Sequence, residues 1–241
     1  MVRGQDEPIT GRRGPAKVIL FGATGMVGQG VLRECLLDDR VEHVLAVGRT
    51  PVGTAHAKLT EIVRADVSDL SGVREQLAGY QACFFCLGVS SAGMAAAEYH
   101  RLTYDLTLAA AAAVAEASPD LTFIYVSGQG ADSTEKGRIR WARVKGATEN
   151  ALRALPMRNY AFRPGVIQPV HGVTSKTRLY AVIYRVAGPL FPVLRRLAPG
   201  SLTTTETLGR AMIAVAERGY PEPVLENRDI NSAGRSSRTI G

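Results

Sequence analysis

Cysteine is scarce in this sequence, with only Cys35, Cys83 and Cys86 among 241 residues. Such an odd and low count argues against the disulfide framework of a small secreted protein and favours a reducing compartment, so we predict a cytoplasmic location. Cys83 and Cys86 have C-x-x-C spacing, but their segment ACFFCLG has the composition of a strand. Residues three apart on a strand point to opposite faces, so we predict buried structural cysteines and no metal site.

Long hydrophobic runs are also missing. No apolar stretch reaches about 18 uninterrupted residues, so no membrane span is predicted, and the N-terminus shows no signal peptide. The remaining composition is that of a globular protein, with 46% hydrophobic and 21% charged residues. A chain of 241 residues suits one large α/β domain, or one domain with a small addition.

The sequence has no run of lysine and arginine interleaved with aromatic residues, although its formal net charge is +7. Part of this excess lies near the two ends, in Arg3, Arg12, Arg13, Arg235 and Arg238. A dispersed surplus is typical of a mildly basic surface or of a site for an anionic small ligand. We therefore predict a small-molecule substrate and no nucleic-acid partner.

Short apolar segments alternate with segments of helical periodicity along most of the chain. Because such alternation is typical of a parallel sheet with helices on both faces, the predicted fold class is α/β, a Rossmann-type doubly wound parallel sheet. A capping-box pattern, Thr203 to Glu206, marks the start of the last predicted helix. Strands are predicted at or within 17–21, 43–47, 61–67, 82–88, 122–128, 160–163 and 223–227, and helices over 26–39, 96–117, 138–155 and 203–219.

The most informative stretch is VILFGATGMVGQG, in which Gly22, Gly25 and Gly28 follow a strand and open a helix. Glycine permits a tight turn, a close approach of backbone to a pyrophosphate, and close helix–strand packing. The N-terminus of the helix then presents free N–H groups to phosphate. No Gly-Lys-Ser/Thr follows, so the pattern predicts dinucleotide binding rather than a nucleotide-triphosphate loop.

An acidic residue is missing where an NAD site usually has one, at the end of the second strand, about 20 residues after the glycines. That position offers Gly48 and Arg49 in AVGRT. A guanidinium binds a 2′-phosphate in a fork, whereas a carboxylate would repel it. The predicted cofactor is therefore NADP, with NAD less favoured, and Arg49 is its predicted ligand.

These features divide the chain into three parts. Residues 16–233 form a single predicted NAD(P)-binding Rossmann domain, flanked by a flexible leader (1–15) and a flexible tail (234–241). Within the domain, residues 166–233 form a small C-terminal lid segment on the substrate side. Its apolar stretch 179–197 is interpreted as a lid helix or a dimer contact, with a membrane-surface or partner helix as the alternative.

The order of GATGMVG, VGRT, ADV, CLG, VSGQGAD, the lysine in WARVK and FRPGV resembles the short-chain dehydrogenase/reductase superfamily. The resemblance is closest to its atypical and extended branches, the NAD(P)-binding, NmrA-like and epimerase/dehydratase-like proteins. It covers roughly residues 16–230 and implies a homodimer as one compatible assembly. The residues it implies for the cofactor are Gly22, Thr24, Gly25, Met26 and Val27 at the pyrophosphate, Asp66 and Val67 near adenine, Leu87 and Gly88 at the adenine ribose, Lys145 at the nicotinamide ribose, and Pro164, Gly165 and Val166 near nicotinamide.

The chain departs from that family at its catalytic positions. The family pattern is Tyr-x-x-x-Lys, and here Trp141 stands four residues before Lys145. A phenol can exchange a proton, whereas an indole N–H is a donor that does not titrate usefully in water. Ser127 is near the position of the family's serine or threonine, but a glycine follows it. Lys145 and Ser127 are therefore the predicted catalytic residues, without the usual tyrosine.

The leading expectation is an NADP-preferring oxidoreductase or epimerase-like protein that acts on a small organic substrate. The alternative is a non-catalytic NADP-binding regulator or scaffold, because fold alone does not decide between them. A sugar-nucleotide epimerase is a third and less favoured interpretation, since that chemistry depends on the missing tyrosine. Other groups that could replace the phenol are Tyr99, Tyr104, Tyr180, Tyr184, His100 and His171.

Overall fold

The computed structural model describes residues 16–173 and 200–236. The predicted leader, the apolar stretch 179–197 and residues 237–241 lie outside the described residues. The strands of the described part are β1 (Ala16–Phe21), β2 (Val41–Gly48), β3 (Leu59–Val63), β4 (Ala82–Phe85), β5 (Thr122–Val126), β6 (Arg158–Arg163), β7 (Val166–Gln168), β8 (Leu202–Thr204) and β9 (Val224–Glu226). The helices are α1 (Met26–Leu37), α2 (Ala96–His100), α3 (Leu106–Ala117), α4 (Arg140–Arg153), α5 (Thr205–Arg218) and α6 (Asn227–Ser236), with a 3₁₀ helix at Ser71–Leu77.

Seven strands form one sheet in the order β3-β2-β1-β4-β5-β6-β9, and every pair in it is parallel. The chain reverses its direction of winding between β1 and β4. In such sheets ligands bind outside the carboxyl ends of the strands at this reversal. The predicted Rossmann-type doubly wound fold is therefore confirmed, and β7 pairs with β8 in a separate two-stranded sheet.

The core lies on both faces of the sheet, as the apolar strands require. On one face α1 and α5 pack against β1, β4 and β5, through side chains that include Val31, Leu208 and Met212. On the other face α3 and α4 pack through side chains that include Val114 and Leu152. Burial of apolar surface on two faces is what makes the strands almost wholly hydrophobic.

The two cysteines of the C-x-x-C pattern belong to opposite faces, as predicted. Cys83 lies in the cluster beneath α3, and Cys86 packs against the cluster beneath α1. Both are free thiols, and burial raises the pKa of each. A buried thiol with a raised pKa forms little thiolate, so this pair has the properties of structural cysteines.

Most predicted boundaries differ from the observed ones by a few residues, and four differences have a structural interest. The N-cap of α5 is Thr204 rather than Thr203, because the Thr204 hydroxyl accepts the Thr207 amide at 3.0 Å. The helix predicted over 96–117 contains a π-helical turn at Arg101–Asp105, and the third strand begins and ends earlier than 61–67. The last helix includes residues 234–236, which the sequence assigned to the tail, because Gly234 packs closely against Thr207.

Helices α1 and α5 approach each other closely where glycines face the partner helix. A Cβ atom on Gly30 would stand 2.4 Å from the Cβ of Thr205, and one on Gly209 would stand 2.9 Å from the Cγ of Glu34. Contacts below about 3 Å force the neighbouring atoms to move. The two glycines therefore set the distance between the helices that hold the first face of the core.

We predict that Gly30→Ala lowers the free energy of unfolding by about 1–3 kcal/mol, because the added methyl group overpacks this crossing. Urea denaturation measures the effect. Gly200→Ala is the matched control, since a Cβ there meets no atom within 4 Å. Equal stability of the two variants would contradict the prediction.

Candidate functional site

The glycine-rich turn lies at the carboxyl end of β1 and has no room for a side chain at Gly22 or at Gly28. Gly22 has φ +81°, and a Cβ on it would stand 2.8 Å from the carbonyl carbon of Cys86. A Cβ on Gly28 would stand 2.0 Å from the Gly22 carbonyl oxygen, and the Gly25 amide donates to that same oxygen at 2.9 Å. The turn is therefore held tightly against β4 and against the first turn of α1.

Helix α1 begins at this turn with its N-terminus uncapped by a side chain. Gly25 is the N-cap and offers no side-chain oxygen, and the first turn contains no acidic residue. The free N–H groups and the positive end of the helix dipole are suited to a phosphate group. The residues present therefore fit the pyrophosphate of a dinucleotide.

Arg49 lies beside the turn because of the sheet register. Phe21 pairs with Val47, so Gly48, the last residue of β2, stands level with Gly22, and Arg49 is the first residue beyond the strand. Arg49 is exposed directly after Gly48, and Gly48 accepts the Arg64 amide at 2.9 Å. Arg49 therefore follows β2 at the carboxyl edge of the sheet, and its contact with a 2′-phosphate stays a prediction.

The residues predicted near the adenosine follow β3 and β4. Asp66 is exposed and accepts hydrogen bonds from the amide and the hydroxyl of Ser68, which hold the pKa of its carboxyl below its usual range. Val67 is buried, Leu87 is partly buried, and Gly88 is exposed with no atom within 4 Å of the position of a Cβ. Gly22, Gly48 and Gly88 therefore lie at the carboxyl ends of neighbouring strands at the same edge of the sheet, and of the three only Gly88 has no atom within 4 Å of the position of a Cβ.

Trp141 and Lys145 lie on one face of α4, as their spacing requires. A Cβ on Gly128 would stand 3.9 Å from the Lys145 Cδ and 4.0 Å from the Trp141 Cζ3, and one on Gly130 would stand 3.6 Å from the indole Cη2. Both side chains therefore reach the loop that follows β5. Gly146 lets α4 approach that loop, because a Cβ there would stand 1.8 Å from the Asp132 carbonyl oxygen.

The ammonium group of Lys145 faces the end of β5. Its Nζ donates to the Ser127 carbonyl oxygen at 3.1 Å, and to the Tyr125 hydroxyl and the Val126 carbonyl oxygen at 3.4 Å each. Burial lowers the pKa of Lys145 to about 8, and Glu149 opposes this shift by its negative charge. Two of the three hydrogen bonds are long, so the group can exchange one of them for a ligand hydroxyl.

The Ser127 hydroxyl takes part in a buried hydrogen-bond network. Its hydroxyl donates to Glu149, and the Arg163 guanidinium donates to both oxygens of that carboxylate, from Nε at 3.0 Å and from Nη2 at 2.5 Å. The Glu149 side chain is fully buried and that of Arg163 is 12% exposed. This buried network ties β5, α4 and β6 together, and it uses the serine hydroxyl that the sequence analysis considered for catalysis.

Three residues of this arrangement were not predicted to act in the site. Tyr125 lies beneath the Lys145 ammonium, with its ring centroid 5.1 Å from Nζ. Glu149 follows Lys145 by one helical turn, and Arg163 stands in the FRPG segment that was singled out only for its proline and glycine. The i,i+4 spacing of Lys145 and Glu149 was the available signal, but it is also typical of a solvated surface pair.

The segment after β6 closes the far side of the site. The Gln129 amide donates to the Pro164 carbonyl oxygen at 2.9 Å, which joins this segment to the loop after β5. A Cβ on Gly165 would stand 2.3 Å from the Ser201 carbonyl oxygen, and the Gly165 amide donates to the buried Asn227 side chain at 2.9 Å. Val166 is 48% exposed beyond it.

The other groups considered as proton donors lie elsewhere or are enclosed. Tyr99 is 1% exposed. His100 pairs with Asp105 at 3.3 Å and packs against the ring of Tyr104, and His171 pairs with Glu206 on α5 at 2.7 Å. Tyr180 and Tyr184 lie outside the described residues. A cavity of about 580 Å³ is lined by Ala23 and Thr24 of the glycine turn and follows α1, and its lining includes neither Trp141 nor Lys145.

Comparison with known proteins identifies the family. Residues 22–168 match a family model described as NAD(P)H-binding. The chain belongs to this NAD(P)H-binding family. It is also 30% identical over 206 residues to the protein fmp52, mitochondrial, of Emericella nidulans, across 82% of this chain and 86% of that protein. It therefore shares a family with the fungal Fmp52 proteins, and the predicted place in an atypical branch of the short-chain dehydrogenase/reductase superfamily is confirmed.

Solved structures of low sequence identity share the fold of this NAD(P)H-binding chain. One is the UDP-N-acetylglucosamine 4-epimerase of Methanobrevibacter ruminantium, with a TM-score of 0.65, 15% identity, and coverage of 88% of this chain and 75% of that one. Another is the enzyme WbmF of Bordetella bronchiseptica in complex with NAD⁺, with a TM-score of 0.62, 13% identity, and coverage of 96% and 81%. At this identity the likeness concerns the fold alone.

The predicted cytoplasmic location is wrong. Fmp52 relatives from Emericella nidulans, Debaryomyces hansenii and two Aspergillus species are named mitochondrial. The cysteine count failed as a signal because it separates oxidising from reducing compartments and does not distinguish one reducing compartment from another. Within residues 16–173 and 200–236, no helix has both the length and the apolar character needed to cross a membrane.

Proposed function

We propose that this NAD(P)H-binding protein is an NADP-preferring oxidoreductase for a small organic substrate. The observation that carries the proposal is the position of Lys145. Its ammonium stands at the end of β5 with two long hydrogen bonds, across the carboxyl edge of the sheet from the uncapped N-terminus of α1. A fixed cation with exchangeable partners is suited to the hydroxyl groups of a nicotinamide ribose.

The proposed cofactor contacts follow the edge of the sheet. The backbone from Gly22 to Val27 would hold the pyrophosphate, and Arg49 would hold the 2′-phosphate. When bound, the dinucleotide supplies hydride chemistry, and the protein orients it. The remaining proposed contacts are Asp66 and Val67 at adenine, Leu87 and Gly88 at the adenine ribose, and Pro164, Gly165 and Val166 at the nicotinamide.

The proposed site differs from the family in the groups that could transfer a proton to the substrate. Trp141 stands where the family has its tyrosine, and an indole does not titrate usefully in water. The Ser127 hydroxyl is bonded to Glu149. Loss of a general acid or base commonly lowers a rate by about 10²- to 10⁴-fold, so we propose that ordinary ketones and alcohols are poor substrates.

The same two features favour a second candidate, a non-catalytic NADP-binding regulator. Such a protein would need the glycine turn and Lys145 but no proton donor beside the nicotinamide. Purified protein is to be tested for NADPH binding and for NADPH oxidation with aldehydes, ketones and quinones. Turnover supports the oxidoreductase, and tight binding without any turnover supports the regulator.

We predict that Arg49→Ala weakens NADPH binding by about 10-fold or more and leaves NADH binding unchanged. The reason is that a hydrogen bond to a charged group contributes about 1.5–3 kcal/mol, and only NADPH carries the 2′-phosphate. Titration of both nucleotides into both proteins measures the change. Arg74→Ala is the control, because Arg74 is exposed and pairs with Glu116 on another part of the surface. Equal preference for the two nucleotides in the unaltered protein and in Arg49→Ala would overturn the NADP assignment.

A further inference from the structure

An apolar rim, formed by Val89, Ile139, Trp141 and Val166, follows the carboxyl edge of the sheet at the proposed cofactor site. Among the described residues, five large hydrophobic side chains are exposed, and four of them stand at this edge: Val63 ends β3, and Val89, Ile139 and Val166 stand after β4, before α4 and after β6. Trp141, two residues after Ile139, is partly exposed. An exposed apolar cluster at the edge of a ligand site indicates the chemistry of what binds there.

Hydrogen bonds and packing connect the segments that carry these residues. The Arg140 Nη2 donates to the Met94 carbonyl oxygen at 2.9 Å, which holds the loop after β4 against the start of α4. The indole of Trp141 packs against Gly128 and Gly130. Between these glycines, Gln129 is bonded through its amide to the segment that leads to Val166. The segments that carry the rim are therefore joined from the loop after β4 to the segment after β6.

Two charged side chains next to the rim, those of Arg143 and Asp132, already have partners in the protein. The Arg143 Nη1 donates to the Gly137 carbonyl oxygen at 2.9 Å, and the Asp132 carboxylate accepts from Thr134 and from the Gly137 amide. The Lys145 ammonium is directed at the end of β5. A flat apolar ring would bury its surface against Trp141 and the two glycines.

We propose that the second substrate is a planar apolar quinone bound against Trp141 and this rim; the inference rests on the proposed function. The quinone accepts the hydride of a reduced nicotinamide dinucleotide and one proton from water. It is thereby reduced by two electrons to the hydroquinone, while the dinucleotide is oxidised. The intermediate anion is a phenolate, whose conjugate acid has a pKa near 10. A simple ketone would instead give an alkoxide, which is close in basicity to hydroxide and needs a general acid.

The single tryptophan of the chain provides a direct test of binding. With NADP⁺ present, so that no reduction occurs, 2-methyl-1,4-naphthoquinone is expected to quench the fluorescence of Trp141 with saturation. With NADPH, the same quinone is expected to be reduced about 10²-fold faster or more than 1-tetralone, a ketone of similar size and apolarity. UDP-glucose, a sugar nucleotide, is expected to give neither signal.

Two substitutions test whether the rim is the binding surface. Val166→Asp and Ile139→Asp are each expected to weaken quinone quenching and to raise its KM by about tenfold, which corresponds to about 1.4 kcal/mol. Binding of NADPH should be unchanged in Ile139→Asp; Val166 is itself a proposed nicotinamide contact, so Val166→Asp is compared only for quinone quenching and the quinone KM. Ile139 is the N-cap of α4, where aspartate is a favoured residue, so this variant is expected to fold. Leu37→Asp is the control, since Leu37 is also exposed but ends α1 at the opposite edge of the sheet.

The outcomes separate this inference from the proposed function. Absence of NADPH binding would overturn the proposed function itself. If NADPH binds but the quinone neither quenches Trp141 nor is reduced, or if 1-tetralone is reduced as fast, only the quinone inference fails. The inference also fails if Ile139→Asp behaves like Leu37→Asp.

Discussion

Glu149→Ala is expected to lower the free energy of unfolding by about 3–5 kcal/mol, because it leaves the Arg163 guanidinium largely buried without its main partner. The Glu149 carboxylate is fully buried and accepts from Ser127 and twice from Arg163. Arg163 would keep only Ser133, at 2.6 Å, and the exposed Glu226, at 3.2 Å. Breaking such a pair is expensive although forming it contributes little net stability, because a single buried charge has lost its hydration.

Urea denaturation of the purified variants measures this effect. Glu116→Ala is the matched control, because Glu116 and Arg74 form an exposed pair at 2.9 Å, and such pairs contribute about 0–1 kcal/mol. Glu149→Gln should be intermediate, since an amide keeps the shape but can no longer accept at both ends. A loss in Glu149→Ala no larger than that in Glu116→Ala would show that the network does not hold α4 on the sheet.

Lys145→Met is expected to stabilise the unliganded protein and at the same time to weaken NADPH binding. Burial lowers the pKa of Lys145 from 10.5 to about 8, so the folded protein binds the proton less tightly than the unfolded chain does. The resulting cost to stability is fully present below pH 8 and disappears as the pH rises to 10.5. Removing the charge should raise the free energy of unfolding at pH 7 by about 1–2 kcal/mol, since part of the gain is lost with the hydrogen bonds.

The same substitution is expected to lower the affinity for NADPH although it raises the free energy of unfolding. Lys145→Met should weaken NADPH binding by about 10- to 100-fold, since a hydrogen bond from a charged donor is removed. Denaturation curves at pH 7 and pH 10, together with NADPH titrations, measure both halves. Lys136→Met is the control because Lys136 is exposed. A variant that binds NADPH as well as the unaltered protein would exclude Lys145 from the cofactor site, whatever its stability.

Much of the fold could be predicted from the sequence because its signals are local. Apolar runs such as 17–21 mark buried strands, and the glycines of the turn permit its tight backbone conformation. Strand β3 was placed too late because its pattern is weak, with exposed residues at three of its five positions. The N-cap of α5 was predicted one residue too early. Thr203 and Thr204 are equally good capping residues, and only the path of the chain selects Thr204.

The candidate site was predicted less completely, because its chemistry depends on contacts between distant segments. Ser127 was considered for catalysis from its place after a strand, but its hydroxyl is bonded to Glu149, 22 positions away. Tyr125 was read only as a residue of a buried strand, and the structure places its hydroxyl 3.4 Å from Lys145. Sequence spacing does not reveal which buried polar groups will satisfy each other.

The sequence by itself determined the sheet class, the glycine turn, the absence of an acid after β2, and the shared face of Trp141 and Lys145. Each of these depends on residues that are neighbours along the chain or on a fixed helical or strand period. Only the tertiary structure decided that Lys145 points at the end of β5, that Glu149, which Arg163 holds, accepts the Ser127 hydroxyl, and that segments carrying exposed apolar residues meet at one edge. Those arrangements arise when the sheet brings remote loops to one edge, where burial, charge and hydrogen bonding must be satisfied together.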